Sequence, residues 1–143
     1  MSNKAKGSKA ERELYELFVQ NNFRAVRVAG SGMMENTACD LIAGKASENG
    51  KHKYAIEAKS SKAPVKYITK EQIESFIVFS EIFGLTPVVA LRFNHEGWLF
   101  INPHQLRDSG KNWVISLDEA KNIGMKFSQF FNSANMSNKD AQQ

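Results

Sequence analysis

The sequence holds one cysteine, Cys39, among 143 residues. A single thiol forms no disulfide within the chain and no thiolate zinc cluster, which excludes a disulfide scaffold and points to an intracellular, cytoplasmic protein. Three prolines and nine glycines are too few for a collagen-like or low-complexity chain. No apolar run approaches the ~18–20 residues of a membrane helix, and the basic start, Met1 to Lys9, lacks the apolar centre of an export signal. No His-Glu-x-x-His motif occurs, so His52, His95 and His104 are expected to be surface residues near loops. Gly30-Ser31-Gly32 is too short for a phosphate-binding loop, and Ser31 has no partner histidine in a recognisable hydrolase pattern.

What remains is an ordinary globular composition, 42% apolar and 24% charged, with length for one domain. We expect a single domain over residues 1–132 and a disordered tail over 133–143, where Asn, Ser and Gln replace any periodicity. The net charge is only +4, but its distribution is uneven. Lys4, Lys6, Lys9 and Arg12 cluster at the start, and six lysines fall between Lys51 and Lys70. Such clustering is an electrostatic footprint compatible with a nucleic-acid partner.

Ala10, Leu14, Leu17 and Phe18 form the stripe of an amphipathic helix, and Ser8 with Glu11 reads as a capping box at its start. Strands are expected over Phe23–Ala29, Asp40–Ala43 and Lys53–Lys59. A second helix is predicted from Thr69, with Gln72 three residues on, to Gly84. Val88–Phe93 and Trp98–Ile101 read as another hairpin, Trp113–Ser116 as a short strand, and a last helix carries Phe127, Phe130 and Phe131. This order predicts an α/β sandwich around a mixed β-sheet flanked by helices.

Strand parity then brings charged residues together. Ala55, Glu57 and Lys59 share one face, because alternate side chains point the same way. Asn49-Gly50 is a strong hairpin signal. A turn centred between Glu48 and Asn49 sets Asp40 opposite Glu57, and one centred on Asn49-Gly50 sets it opposite Lys59. Either register places Asp40 on the face of Glu57 and Lys59. Opposed residues have Cβ atoms roughly 4.5–5.5 Å apart, so two carboxylates there repel unless a proton or cation lies between them. Mg²⁺, which takes carboxylate, water and phosphate oxygens, suits such a pair. Cys39 beside Asp40 is read as packing.

Asp40, sixteen intervening residues, then Glu57-x-Lys59 is similar to the D-(E/D)-x-K core of the restriction-endonuclease-like nucleases, with Cys39 where a proline usually precedes the aspartate. The flanks extend the likeness: Lys6-Gly7-Ser8-x-x-Glu11-Arg12-Glu13-Leu14, Ala25 to Gly32, Asp40 to Gly44, Ala55 to Lys59, and Phe79-Ser80-x-x-Phe83-Gly84. Together they resemble the archaeal Holliday junction resolvases from about Lys6 to Ile101. The resemblance implies a homodimeric, Mg²⁺-dependent endonuclease acting on four-way DNA junctions, with Mn²⁺ able to substitute and no small-molecule cofactor or membrane. It implies Glu11, Asp40, Glu57 and the Ala58 carbonyl as metal ligands, and Lys59 as the catalytic lysine. It implies Ser31 near the scissile phosphate, Arg12 and Arg27 for DNA binding or cleavage, and Phe79 and Phe83 at a dimer interface. Lys4, Lys6, Lys9 and Lys62 join the expected DNA-binding set. Nothing is carried over for Met33 to Cys39. Other readings stay open: a repair or nicking nuclease on duplex or flap DNA, or a non-catalytic DNA-binding protein.

Overall fold

The computed structural model describes residues 3–28 and 39–132, with side chains described from residue 9 onward. The expected tail, Ser31 and the segment Met33 to Ala38 lie outside the described residues. In chain order the elements are α1 (Asn3–Gln20), β1 (Arg24–Arg27), β2 (Leu41–Gly44), β3 (Lys53–Ser61), β4 (Val65–Thr69) and α2 (Lys70–Ile82). Next come β5 (Thr86–Phe93), β6 (Trp98–Ile101), a 3₁₀ turn (Pro103–Gln105), β7 (Arg107–Asp108), β8 (Asn112–Ser116) and α3 (Leu117–Ile123). A helical segment follows at residues 127–132. No helix among the described residues is long and apolar enough to cross a membrane.

The main sheet is mixed, as the order of elements predicted, with strand order β1-β2-β3-β5-β6 and one parallel pair, β3 with β5. β3 is therefore the central strand, and the sheet carries an apolar cluster on each face. On one face Leu14 and Phe18 of α1 meet Leu41, Tyr54, Ile56, Val88, Phe100 and Phe131. On the other, Ile73 and Phe76 of α2 meet Ala55, Val89, Leu91 and Ile101. The alternation along β3 is visible here, since Tyr54 and Ile56 belong to the first cluster and Ala55 to the second.

Helix α2 follows its sequence signals closely. Thr69 is the N-cap, accepting from the Gln72 backbone N–H, and Gly84 adopts φ +68° just past the helix, a conformation glycine takes without strain. Helix α1 departs from its expected start. It begins five residues before Ser8, because Lys4, Ala5 and Lys6 have helix propensity enough to carry it across Gly7. Glu11 is therefore mid-helix and is no capping residue. The strand expected over Phe23–Ala29 is shorter, although the Val28 N–H still bonds to Asp40 O at 2.9 Å.

Three elements went unforeseen: β4, β7 and α3. β4 pairs with β8, and β8 with β7, in a second antiparallel sheet stacked beside α2. That pairing joins segments some fifty residues apart, which local pattern does not show. His52 is also buried, against the expectation of a surface histidine, with its Nδ1 3.5 Å from the Tyr54 hydroxyl. It lies one residue outside β3, where the hairpin ladder still covers it.

Phe18 is the hub of the first cluster. Its ring meets Phe23, Phe100, Phe127 and Phe131 edge-on at 5.3, 6.3, 5.0 and 5.2 Å between centroids. Edge-to-face pairs add to the burial of a large side chain. Phe18→Ala should lower unfolding stability by about 3–5 kcal/mol, measured by denaturant titration; a loss under about 1 kcal/mol would mean that the cluster collapses around the gap.

Candidate active site

The β2–β3 hairpin settles the register. Leu41 pairs with Ile56 and Ala43 with Tyr54, and the turn is closed by Gly50 N–H donating to Ser47 O at 3.2 Å. This is the register centred between Glu48 and Asn49, and its continuation sets Asp40 across from Glu57. Gly50, at φ +66°, takes the left-handed residue that completes the turn.

The ladder does not continue regularly. β2 stops at Leu41, while β3 runs on to Ser61 paired only with β5. Asp40 N–H donates to Ile56 O at 3.0 Å, and Asp40 O accepts from Val28 N–H at 2.9 Å. The Ala58 N–H, left without a strand partner on that edge, donates to Asp40 Oδ2 at 2.8 Å. The carboxylate thus occupies the place of the missing strand. An exposed β-edge donor is satisfied and the acid is fixed in one step.

Glu57 and Lys59 leave β3 on the face of α2, with side chains only 17% and 18% exposed. Lys59 Nζ lies 3.6 Å from Glu57 Oε1 and 3.4 Å from Gln72 Oε1 on α2. Burial pushes the Glu57 carboxyl up to about 8, the Asp40 charge adds to that, and Lys59 opposes it. Cys39 is buried, donates to Leu41 O at 3.2 Å, and has its thiol pushed up to about 12 by burial first and then by the Glu57 and Asp40 carboxylates. It packs the site's wall and is no ready thiolate.

Glu11 approaches from α1. Its carboxylate is 3.3 Å from Arg27 Nη2. Burial raises its pKa and so does Asp40, against the hydrogen bond and charge of Arg27 and the more distant charge of Lys59. Glu11 therefore borders the cluster of Asp40, Glu57 and Lys59 while being held by Arg27. Among the described residues no three Asp, Glu, His or Cys side chains converge as a ready metal-ligand group. The donors in place are the Asp40 and Glu57 carboxylates, and the Asp40 charge adds to the raised proton affinity of Glu57. Two oxygen anions that need a cation or proton between them fit a hard divalent ion.

The other expected residues are spread around this centre. Lys9 and Arg12 are exposed on α1, Lys62 is exposed in the β3–β4 turn, and Arg27 is half-buried on β1. Lys4 and Lys6 lie in the first turns of α1 with side chains outside the described set, and Ser31 lies outside it altogether. Phe79, partly buried against the core under α2, meets the exposed Phe83 just past the helix at 4.6 Å between ring centroids. Gln72 was missed as a site residue, because its position three after Thr69 marked it as a capping partner. Its backbone does serve the cap, while its side chain turns to Lys59.

A family model described as archaeal Holliday junction resolvase (Hjc) matches residues 2–138. The chain is 44% identical over 122 residues to the crossover junction endodeoxyribonuclease Hjc of Methanocaldococcus jannaschii, covering 85% of this chain and 84% of that protein. It is 34% identical over 112 residues to the crossover junction endodeoxyribonuclease Hjc of Archaeoglobus fulgidus, covering 78% and 79%. The 1.6 Å structure of the Archaeoglobus fulgidus Hjc, a Holliday junction resolvase from an archaeal hyperthermophile, matches with a TM-score of 0.76 at 28% identity, over 86% of this chain and 98% of that one. Likeness of this extent reaches from α1 through the hairpin and α2 to the last described helix, and by it the chain belongs to the archaeal Holliday junction resolvase family.

Proposed function

We propose that this chain is a cytoplasmic, homodimeric endonuclease that resolves four-way DNA junctions by metal-dependent hydrolysis of two phosphodiesters. The observation that carries the reading is the packing of Asp40 against Glu57, with Lys59 held beside them. Family membership implies a divalent metal, and we assign Mg²⁺, with Mn²⁺ as its substitute. Asp40 and Glu57 would hold it. The Ala58 carbonyl is a further candidate, because N–H and C=O of one strand residue leave by the same edge and the Ala58 N–H already reaches Asp40. Bound there, such an ion supplies Lewis-acid stabilisation of charge on the reacting phosphate.

The chain's own groups do the rest. Lys59 Nζ donates toward the attacked phosphate, orients the attacking water and offsets negative charge in the transition state. Gln72 keeps that ammonium in place. Arg27 holds Glu11 at the rim, where Glu11 can accept from a metal-bound water or complete the metal shell. Lys9, Arg12, Arg27 and Lys62, with Lys4, Lys6 and Ser31, supply contacts to the sugar–phosphate backbone, which fix register without reading sequence. The products are a 5′-phosphate and a 3′-hydroxyl. A four-way junction is two-fold symmetric, so an isologous dimer with one site per subunit can place two opposed nicks.

The reading is tested on a junction of four separately labelled strands, competed with linear duplex. Paired nicks of like polarity and weak competition by duplex are expected. Asp40→Asn and Glu57→Gln should each lower cleavage by roughly 10²–10³ with junction affinity little changed. Cleavage within about tenfold of wild type, or nicks on one strand only, would overturn it.

Proton binding gives a second test. Glu57 has its folded pKa raised to about 8, above its unfolded value, so between them the folded protein holds the extra proton and stability falls as pH rises. In chelator, the wild type should lose more thermal stability from about pH 5 to about pH 8 than Glu57→Gln, and Mg²⁺ should restore it at the upper end. Parallel curves for the two proteins would refute the assignment of this proton to Glu57.

A third test concerns the dimer. Around Phe79, α2 presents Val78, Ile82 and Phe83 to solvent, the last two 72% and 62% exposed. A contiguous apolar strip of this kind favours association. The wild type should sediment as a dimer at micromolar concentration, and Phe79→Ser with Phe83→Ser should raise its dissociation constant at least about tenfold. A monomeric wild type would remove the symmetric-nick argument.

A further inference from the structure

Lys66 has no place in the assignments above, yet its surroundings are unusual for a lysine. It sits on β4 opposite Ile115, with Ile68 two residues on, and both isoleucines are buried. Tyr67, between them, points the other way and is 60% exposed. Strand parity therefore sends the Lys66 side chain to the inner face of the second sheet, the face turned toward β3 and α2. It is half-buried there.

The other partly buried lysines each have a partner: Lys45 lies 4.9 Å over the Phe23 ring, and Lys59 and Lys70 each meet a carboxylate, as exposed Lys121 does too. Lys70 meets Asp108 at 2.8 Å, Lys121 meets Glu96 at 2.9 Å, and Lys59 meets Glu57 at 3.6 Å. Among the described residues no carboxylate pairs with Lys66 and no side chain accepts a hydrogen bond from it. Its near charged neighbour is another cation. Burial pushes the Lys66 ammonium below the usual lysine range, and the charge of Lys59 pushes it further. An apolar residue would suit the strand position better, since a half-buried charge beside a like charge costs stability in the free protein.

Lys59 has Glu57 as its counter-ion, and among the described residues Lys66 has none, so Lys66 is the cation left to take an anion from outside. We propose that Lys66 binds a backbone phosphate of the DNA beside the phosphate that Lys59 addresses, so that the two lysines hold consecutive stretches of one strand. This rests on the nuclease reading for the identity of the anion. The placement follows the chain: β3 brings Lys59, residues 62–64 connect it to β4, and β4 sets Lys66 on the face turned toward β3 and α2.

The test is junction binding by the full chain in chelator, so that no cleavage intervenes, followed by fluorescence anisotropy across a salt series. Lys66→Met keeps the apolar stem and removes the charge. It should lower the slope of log Kd against log salt by about 0.9, weaken binding by about fivefold at low salt, and converge with wild type at high salt. Lys66→Arg should keep the wild-type slope. Without DNA, Lys66→Met should melt no lower than wild type, because repulsion with Lys59 is relieved. An unchanged slope in Lys66→Met would overturn the proposal whatever its melting temperature. Wild type that binds junction with a steep salt slope and nicks it in Mg²⁺ upholds the nuclease reading independently. Wild type that does neither overturns both.

Discussion

The hydrogen bond from the Ala58 N–H to Asp40 Oδ2, 2.8 Å long, is the contact on which the site depends. It exists because β2 ends while β3 goes on. A central strand left bare on one edge has donors to satisfy, and the Ala58 N–H is one of them, partly buried between the clusters on the two faces. Asp40 supplies the acceptor and is fixed by it. Its main chain is held too, the N–H donating to Ile56 O of the same strand β3 and the carbonyl accepting from Val28 N–H on the other side. An aspartate held at its carboxylate, N–H and carbonyl is already ordered, so a ligand that uses it costs little further freedom on binding.

That fixation forces the electrostatics. Glu57 cannot move away from Asp40, because its strand is the middle of the sheet. It is also too buried for water to screen the repulsion. Lys59 offsets part of the cost and is shared with Gln72. The free protein therefore holds its acidic pair in a state that a proton or a divalent ion relieves. Rigidity comes from the core: the aromatic cluster around Phe18 presses α1 and the helical segment at 127–132 on one face, and Ile73 and Phe76 press α2 on the other. Both helices bring a rim residue to the same edge, Glu11 from α1 and Gln72 from α2.

Periodicities of two and of 3.6 wrote the main sheet, α2 and the two hairpins into the chain, because each is stabilised by neighbours close in sequence. Parity alone put Asp40, Glu57 and Lys59 on one face, since a strand's alternation cannot be altered without losing its core side. The likeness to a nuclease family was equally a property of the chain. Folding decided what local pattern cannot carry. It set the Glu11 side chain against Arg27, sixteen residues on. It buried His52, paired β4 with β8 across some fifty residues, and turned the Gln72 side chain from its own helix to Lys59. Each of these depends on which distant segment comes to lie alongside, and that choice is made by the packing of the entire core rather than by the residues concerned.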